Sequence, residues 1–212
     1  MIIDGGISVI IAYLLGSIPA AYVITRWATG KDIRQLGGGN VGARNVFTEV
    51  GKGAGIGVAV FDIGKGAAAV AIAHWLLNAP TLFVLAAGLA VVAGHIWPVF
   101  LKFSGGNGLA TILGVLSLLM TRELLIALAI TVLLIVITHN TILSVNMSLL
   151  SVPVSAWLLR ESVLFIIFPI LLIIIMAINF VPTFRAALVR AGSKENFLAE
   201  LLRRERVKKK AR

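Results

Sequence analysis

Two glycine-rich segments contain the residue types best suited to bind an anion. Residues 37–43 have the sequence Gly-Gly-Gly-Asn-Val-Gly-Ala, and residues 105–111 have the sequence Gly-Gly-Asn-Gly-Leu-Ala-Thr. Glycine allows successive backbone N–H groups to converge on one anion. Because both segments interrupt a chain that is otherwise almost entirely apolar, they predict a phosphate-handling site. An enzyme that acts on lipid phosphates is the leading hypothesis.

The first glycine segment also matches the spacing of a dinucleotide-binding fingerprint, but its context does not fit one. Asp62 follows at about the distance expected of a ribose ligand. No strand is predicted before the glycines, however, and a helix of membrane length follows them. Gly51-Lys52 and Gly64-Lys65 do not complete a Walker A motif, because the upstream glycine and the Ser or Thr after the lysine are missing.

Ionisable side chains inside or beside apolar blocks are the next candidates for a function. Asp62 and Lys65 are three residues apart, so they share one face of a helix. At membrane depth such a pair either forms a structural ion pair or shapes a polar cavity, and both alternatives stay open. His95 lies just before the second glycine segment, whereas His74 and His139 have the surroundings of interfacial or packing residues. No histidine has the spacing of a metal-binding pair, so neither a metal site nor a cofactor is expected.

Composition places the chain in a membrane. The 212 residues are 59% hydrophobic and 13% charged, and the mean hydropathy is +1.01. A soluble core of this size would not bury so much apolar surface. Cysteine is absent, which excludes disulfides, thiolate nucleophiles and cysteine zinc sites. Only Asp4 and no basic region precedes the first apolar block, so this block is predicted to stay as a span and not to act as a cleavable signal peptide.

Apolar blocks of membrane-spanning length predict an all-α polytopic integral membrane protein. A helix needs about 20 residues to cross the hydrocarbon layer, and about seven blocks fit if two short ones are included. The fourth and fifth blocks are individually short, so the alternative is that residues 121–123 lie inside one long helix. The predicted spans cover residues 7–26, 53–77, 80–97, 108–120, 123–138, 142–159 and 162–181.

Basic residues predict the orientation of these spans. Cytoplasmic segments of membrane proteins carry the excess of Lys and Arg. Five basic residues lie within residues 26–52, and ten of the 28 residues from Arg185 onward are basic, whereas the opposite side has only Arg122 and Arg160. We therefore predict the N-terminus outside, the C-terminus in the cytoplasm and both glycine segments on the cytoplasmic side.

The chain is predicted to form one transmembrane domain, residues 1–182, followed by a basic cytoplasmic tail, residues 183–212. Within the tail, residues 193–212 have the spacing of a short amphipathic surface helix, and an ordinary positively charged anchor is the equal alternative. The net charge of +10 lies outside the apolar blocks. It therefore indicates anionic lipid as a partner and argues against nucleic acid.

Several segments, taken together and in order, resemble the bacterial acyl-phosphate:glycerol-3-phosphate acyltransferase family of the PlsY type. They include Gly94-His95-Ile96-Trp97-Pro98, which leads into the second glycine segment. The resemblance is strong over roughly the first 115 residues and continues mainly as hydropathy beyond them. The matching segments are residues 12–22, 39–43, 45–46, 51–54, 61–66, 94–100 and 103–111.

The resemblance implies a reaction and a location. An acyl chain carried as acyl phosphate would pass to the 1-hydroxyl of glycerol-3-phosphate, giving lysophosphatidic acid and inorganic phosphate, with no acyl-enzyme and no cofactor. The implied setting is phospholipid synthesis in the bacterial inner membrane. The implied partners are acyl phosphate, glycerol-3-phosphate, membrane lipid and an enzyme of the same pathway.

The resemblance also implies the site residues. Catalysis is assigned to Arg44, Asn45 and Asn107, and the shape of the cavity to Asp62 and Lys65. The glycine segments would hold the two phosphates. Substrate binding is assigned to Gly37, Gly38, Gly39, Asn40, Gly42, Ala43, His95, Lys102, Gly105, Gly106 and Gly108.

Three positions depart from the family pattern. Gly38 stands where the family has serine, Thr48 where it has arginine and Asn107 where it has lysine. Arg44 and Lys102 are the predicted substitutes for the two missing cations. The alternative hypothesis is a non-catalytic paralogue that binds lipid phosphate or partners an active enzyme. A small-solute transporter is a weaker third hypothesis, because the sequence has no convincing pair of half-repeats.

Overall fold

The part of the protein that the structure describes is built from helices, with no strand. The computed structural model describes residues 2–191 and, beyond position 181, only the side chain of Phe184. Short 3-10 turns cover Ile33–Gln35 and Val99–Leu101, and a wider π-helical turn covers Ile72–Leu76. The α-helices are α1 (Ile2–Gly16), α2 (Ala20–Thr29), α3 (Ala43–Glu49), α4 (Lys52–Ala71), α5 (Thr81–Ile96), α6 (Leu109–Leu119), α7 (Thr121–Thr138), α8 (Thr141–Leu149), α9 (Ser151–Leu158) and α10 (Val163–Ala191).

Six helical stretches in the described residues are long and apolar enough to cross a bilayer, which confirms an all-α, multi-pass membrane protein. The fourth of the seven predicted blocks forms α6, which has only 11 residues and is too short to cross on its own, so six spans replace seven. The backbone turns at Met120, with φ −144° and ψ 55°, so α6 and α7 are separate helices. The alternative of one long helix is therefore excluded. The six spans are Ile2–Thr29, Lys52–Leu76, Thr81–Leu101, Thr121–Thr138, Thr141–Leu158 and Val163–Val181.

The first span is broken between α1 and α2. Pro19 has no N–H group and cannot continue the hydrogen-bond ladder of α1. The carbonyl oxygen of Ile18 beside it accepts a hydrogen bond from Lys65 Nζ at 3.1 Å. The same oxygen accepts a second hydrogen bond from Ala20 N at 3.2 Å, so the carbonyl group is satisfied although the regular helix is interrupted inside the membrane. The hydrogen bond from Lys65 of α4 thus helps to stabilise the break, and the break gives the buried ammonium group an acceptor.

Small residues bring α4 and α6 into backbone contact. A Cβ atom at Gly66 would overlap the carbonyl oxygen of Thr111, and one at Gly114 would overlap the carbonyl oxygen of Ile63. Close approach through small residues is the usual way in which membrane helices associate. Because Asp62 lies one turn before Gly66, this packing brings it to the end of α6 at which the second glycine segment enters the helix.

Replacing Gly66 with alanine is expected to destabilise the protein by about 1–3 kcal/mol, because the added methyl group forces α4 away from α6. Gly64 is the matched control in the same helix, since nothing lies within 4 Å of a Cβ atom built there. The measurement is the unfolding midpoint of the purified protein in detergent. Equal midpoints for Gly66→Ala and Gly64→Ala would show that the α4–α6 contact is not as tight as described.

A buried apolar core joins α5 and α6 to α10. Val91, Val92, Ile112, Val115 and Phe168 are at most 2% exposed. α3 packs on α4, whereas α8 packs on α7 and α9. The described residues leave a space between these two groups of helices. We call the end of the bundle at which this space and the glycine segments lie the loop end.

The predicted tail lies mostly outside the described residues. The helix α10 continues to Ala191, across the domain boundary predicted after residue 182. The amphipathic segment predicted for residues 193–212 is outside the described part, so it stays a prediction, as does the division into domain and tail.

Candidate active site

The first glycine segment is a loop that Asn45 ties down from within α3. Its side-chain Nδ2 donates to the carbonyl oxygens of Leu36 and Asn40, each at 3.0 Å. Gly37 and Gly39 have φ of +54° and +73°, which other residues rarely adopt. Asn45 does not line the cavity described below. The structure therefore gives it the geometry of a positioning residue, which holds the loop that carries other candidates.

The turn before this loop has a polar brace of its own. Arg34 Nη2 lies 2.7 Å from Asp32 Oδ2, and its guanidinium carbon lies 5.5 Å from the centre of the Tyr22 ring. The hydrogen bonds from Arg34 hold the pKa of the Asp32 carboxyl below its usual value. Since this pair is close to solvent, it contributes little stability. Its role is to orient the turn.

The first two glycines of the second segment lie against the end of α5. Gly105 N donates to the carbonyl oxygen of Ile96 at 3.0 Å, and Gly106 N donates to that of His95 at 3.1 Å. A Cβ atom at Gly105 would overlap the same His95 carbonyl oxygen, and one at Gly106 would overlap the His95 ring. These glycines are needed for close packing. Their N–H groups already donate to carbonyl oxygens at the end of α5. This differs from the expectation that both glycine segments would bind an anion.

The N–H groups available for an anion come after these glycines, where α6 begins. Gly108 is in the left-handed conformation, with φ +82°, and no side chain caps the helix. Gly108, Leu109 and Ala110 line the cavity. The first N–H groups of a helix and the positive end of its dipole favour a phosphate or carboxylate. α3 also begins at this cavity without a side-chain cap, at Gly42 and Ala43.

The cavity at the loop end has a volume of about 650 Å³ and is amphipathic. Its walls come from both glycine segments and from α3, α4, α5, α6, α8 and α10. Apolar lining side chains are Phe47, Leu109, Ile142, Val145, Met176 and Phe180. Polar lining side chains are Asn40, Arg44, Thr48, Asp62, His95, Asn107, Thr141 and Asn146.

The cavity brings half of the sequence-predicted residues together. Those that line it are Asn40, Gly42, Ala43, Arg44, Asp62, His95, Asn107 and Gly108. Those that do not are Gly37, Gly38, Gly39, Asn45, Lys65, Lys102, Gly105 and Gly106.

Asp62, Lys65 and His95 form a buried cluster at one wall of the cavity. Lys65 Nζ lies 2.9 Å from Asp62 Oδ1, and His95 Nδ1 lies 3.5 Å from the same oxygen. All three are buried, with at most 7% of each residue exposed. The ammonium group of Lys65 also donates to the Ile18 carbonyl, away from the large cavity. The ammonium group of Lys65 therefore pairs with groups inside the protein, whereas Asp62 and His95 border the cavity.

Lys102 lies outside the cavity lining. It is exposed, with φ +53°, at the tip of the turn that follows α5. It therefore does not stand in for the lysine that the family pattern places at Asn107. Among the described side chains that line the cavity, Arg44 is the one cation.

Residues of α8 and α10 complete the cavity, and the sequence did not identify them. Asn146 lies in the predicted span 142–159, and Met176 and Phe180 lie in the predicted span 162–181. Asn179 of α10 also reaches the second glycine segment, where its Nδ2 lies 3.4 Å from the carbonyl oxygen of Gly106. These residues meet the glycine segments only through the tertiary fold, so no local spacing marks them. Asn146 and Asn179, which are polar side chains inside predicted spans, were the available signals.

Two other predictions concern histidines and metals. His74 and His139 do not line the cavity, and both are exposed. Within the described residues, no group of three or more His, Cys, Asp or Glu side chains is placed to hold a metal ion.

Comparison with known proteins gives consistent matches. A family model described as "Glycerol-3-phosphate acyltransferase" matches residues 6–190. The chain is 39% identical over 198 residues to glycerol-3-phosphate acyltransferase 1 of Dehalococcoides mccartyi, covering 91% of this chain and 95% of that protein. It is 44% identical over 161 residues to the glycerol-3-phosphate acyltransferase of Endomicrobium trichonymphae, covering 76% of this chain and 80% of that protein.

Solved structures match as well. The crystal structure of PlsY, an integral membrane glycerol 3-phosphate acyltransferase, in its glycerol 3-phosphate form has a TM-score of 0.78 and 30% identity to this chain. The match covers 88% of this chain and 92% of that one. The lysophosphatidic acid form has a TM-score of 0.76 and 27% identity, with 92% and 98% of the two chains covered.

Proposed function

Because this chain belongs to the glycerol-3-phosphate acyltransferase family, we propose that it transfers an acyl chain from acyl phosphate to the 1-hydroxyl of glycerol-3-phosphate. The hydroxyl oxygen forms an ester bond to the acyl carbon, the bond from that carbon to the phosphate oxygen breaks, and the hydroxyl proton passes to the phosphate. Inorganic phosphate is released with lysophosphatidic acid. The observation that supports this best is the amphipathic cavity. Uncapped helix ends and Arg44 lie at one part of it, and an apolar wall lies at another.

The polar part of the cavity suits the phosphates and the charge that develops during the reaction. The first N–H groups of α6 and the guanidinium of Arg44 are donors that stabilise a phosphate or an oxyanion. Asn107 adds an amide in place of the family's lysine. Asp62 holds the imidazole of His95 at the wall, and His95 contacts bound substrate there. In this proposal Arg44 and Asn107 are catalytic residues, and Asn45 acts through the loop.

The apolar part of the cavity suits the acyl chain. Ile142 and Val145 of α8 and Met176 and Phe180 of α10 present a hydrocarbon wall at the depth of the bilayer. A lipid product would leave sideways into the membrane. We place the protein in the bacterial inner membrane with the loop end facing the cytoplasm, because the basic residues cluster at that end and the acceptor is a soluble phosphate.

A second candidate function is supported by the observation that Arg44 is the one cation among the described side chains that line the cavity. A non-catalytic relative that binds lipid phosphate or partners an active enzyme would retain the fold and lack the family's hydroxyl at position 38 and its charges at positions 48 and 107. Each charged hydrogen bond contributes about 1.5–3 kcal/mol. The loss of two cations is therefore enough to abolish turnover in a protein that still binds lipid phosphate.

The test is phosphate release by the purified protein in a lipid phase supplied with acyl phosphate, with and without glycerol-3-phosphate. Lysophosphatidic acid is detected in parallel, and an active relative serves as the positive control. Release that depends on the acceptor, with an equal amount of lipid product, supports the acyltransferase. If no phosphate is released under conditions in which the active relative turns over, the acyltransferase function is contradicted and the lipid-binding function is left.

Restoring the family residues is expected to raise kcat/KM for glycerol-3-phosphate by at least about tenfold, since the triple variant Gly38→Ser, Thr48→Arg, Asn107→Lys adds two charged contacts. The structure has room for the changes. Nothing lies within 4 Å of a Cβ atom at Gly38, and Thr48 and Asn107 already line the cavity. Unchanged kinetics would show that these positions do not reach the substrate in this chain. Activity gained from a silent parent would identify the parent as the non-catalytic relative.

A further inference from the structure

We propose that Asn146 of α8 accepts a hydrogen bond from the 2-hydroxyl of the acceptor, which makes it the residue that selects a glycerol phosphate over a phosphate ester without that hydroxyl. The proposal rests on the proposed acyltransferase function. It assigns to α8 the recognition of the part of the acceptor that does not react.

Placing the Asn146 amide inside a membrane-spanning helix costs free energy unless its polar atoms find partners. Asn146 lies within the membrane-spanning stretch Thr141–Leu158 and is partly buried. An amide at membrane depth is expensive unless it is hydrogen-bonded or lines a polar cavity. Asn146 lines the 650 Å³ cavity on the wall that Ile142, Val145 and Met176 otherwise make apolar. The position of the amide on the cavity wall therefore favours contact with a ligand.

The hydrogen bonding of the amide leaves an acceptor available. Asn146 Nδ2 donates to the carbonyl oxygen of Ile142 at 2.8 Å, which fixes the rotation of the amide. Its oxygen Oδ1 has no hydrogen-bond donor within the described part of the chain. A fixed carbonyl oxygen on a cavity wall is the group that a hydroxyl proton requires.

The other parts of the cavity have a different chemistry. The first turn of α6 and the Arg44 guanidinium are donors without acceptor capacity, and they suit the phosphate. Asp62 is engaged by Lys65 and His95. Asn40 and Asn107 belong to the glycine segments, on the phosphate side of the cavity. The acceptor's phosphate and its 2-hydroxyl therefore find different partners within the same cavity, and Asn146 is the partner on the wall of α8.

The experiment compares two acceptors in two proteins. Glycerol-3-phosphate and 3-hydroxypropyl phosphate have the same reacting hydroxyl and phosphate, and only the first has a 2-hydroxyl. We expect wild type to prefer glycerol-3-phosphate by roughly tenfold in kcat/KM. Asn146→Ala should lose that preference by slowing the reaction of glycerol-3-phosphate alone. Asn146→Ser, which keeps a smaller acceptor, should recover part of it.

Two outcomes overturn the proposal. If Asn146 has only a structural role, Asn146→Ala slows the reaction of both acceptors by the same factor. If Asn146 has no role, both rates stay unchanged. Asn78→Gly is the matched control, because Asn78 is exposed, lies outside the cavity and already has φ +47°, which glycine adopts readily. It should keep the wild-type preference.

Binding separates this proposal from the proposed function. Stabilisation of the folded protein by each acceptor is measured as a shift of the unfolding midpoint, which requires no turnover. A silent protein that is still stabilised more by glycerol-3-phosphate, with the difference lost in Asn146→Ala, would contradict the acyltransferase and support the role of Asn146. Equal stabilisation by the two acceptors, or none, would overturn the role of Asn146 whether or not the protein turns over.

Discussion

Replacing Arg44 with alanine is expected to lower acceptor-dependent turnover by roughly 10²–10³-fold, the usual effect of removing one preorganised group that stabilises developing charge. Arg44 lies in the first turn of α3 and lines the cavity beside the glycine segments. Among the described lining side chains it is the one cation, because Lys65 is engaged with Asp62 and Lys102 lies outside. The measurement is kcat and KM in the lipid-phase assay.

Two variants control this result. Lys102→Ala removes an equal charge from the exposed turn after α5, and it should change turnover by less than about twofold if only local contacts matter. Arg44→Lys should be intermediate, since an ammonium group binds phosphate as a point charge and lacks the two-pronged geometry of a guanidinium. The unfolding midpoint of Arg44→Ala should remain that of wild type, because the side chain is exposed. Wild-type turnover in Arg44→Ala would mean that it is not the substitute for the missing arginine.

The membrane fold could be predicted from the sequence because its signal is local. Every predicted apolar block corresponds to helix, and a hydrocarbon layer leaves few alternatives for such a block. The error concerned α6. Its block is as apolar as its neighbours, and composition does not reveal that the backbone turns at Met120 and leaves 11 residues of helix.

The positions of the glycine segments could be predicted from the sequence, but the role of each glycine could not. The glycine content predicted that both segments hold a phosphate, and the structure shows that the backbone of the second segment lies close to the end of α5. For Gly105 and Gly106 the neighbour is the end of α5, and their N–H groups donate to its carbonyl oxygens. Glycine has the same appearance in a sequence whether a ligand or a helix lies against it. The ends of α5 and α6 had to be placed before the two cases could be separated.

The wall formed by α8 and α10 could not be predicted, because it depends on contacts far apart in the chain. Asn146 and Phe180 are separated from the second glycine segment by several helices. Their meeting depends on how α7 and α9 place α8 and α10. The residues that we propose to bind phosphate were thus visible in the sequence, whereas those that we propose to face the hydroxyl and the acyl chain were not.

Lys65→Met is expected to be among the most destabilising single changes, at roughly 3–5 kcal/mol, because it leaves a buried carboxylate without its cation. Asp62 and Lys65 are each at most 4% exposed, and their charged atoms lie 2.9 Å apart. The change also removes one of the two hydrogen bonds that the Ile18 carbonyl accepts at the break of the first span, the other coming from Ala20 N. Asp62 would keep only His95, 3.5 Å away, as a partner. The measurement is the unfolding midpoint in detergent.

The double variant Asp62→Leu, Lys65→Met distinguishes a paired charge from simple loss of packing. Replacing both partners of a buried pair by apolar residues of similar size is often nearly neutral, whereas removing one is not. We therefore expect the double variant to be more stable than Lys65→Met alone, although it should lose turnover because Asp62 no longer holds His95. Lys52→Met, at the exposed start of α4, removes a charge from the same helix and should have little effect. A double variant no more stable than Lys65→Met would show that the pair is not coupled and that Lys65 acts through its hydrogen bond to the Ile18 carbonyl.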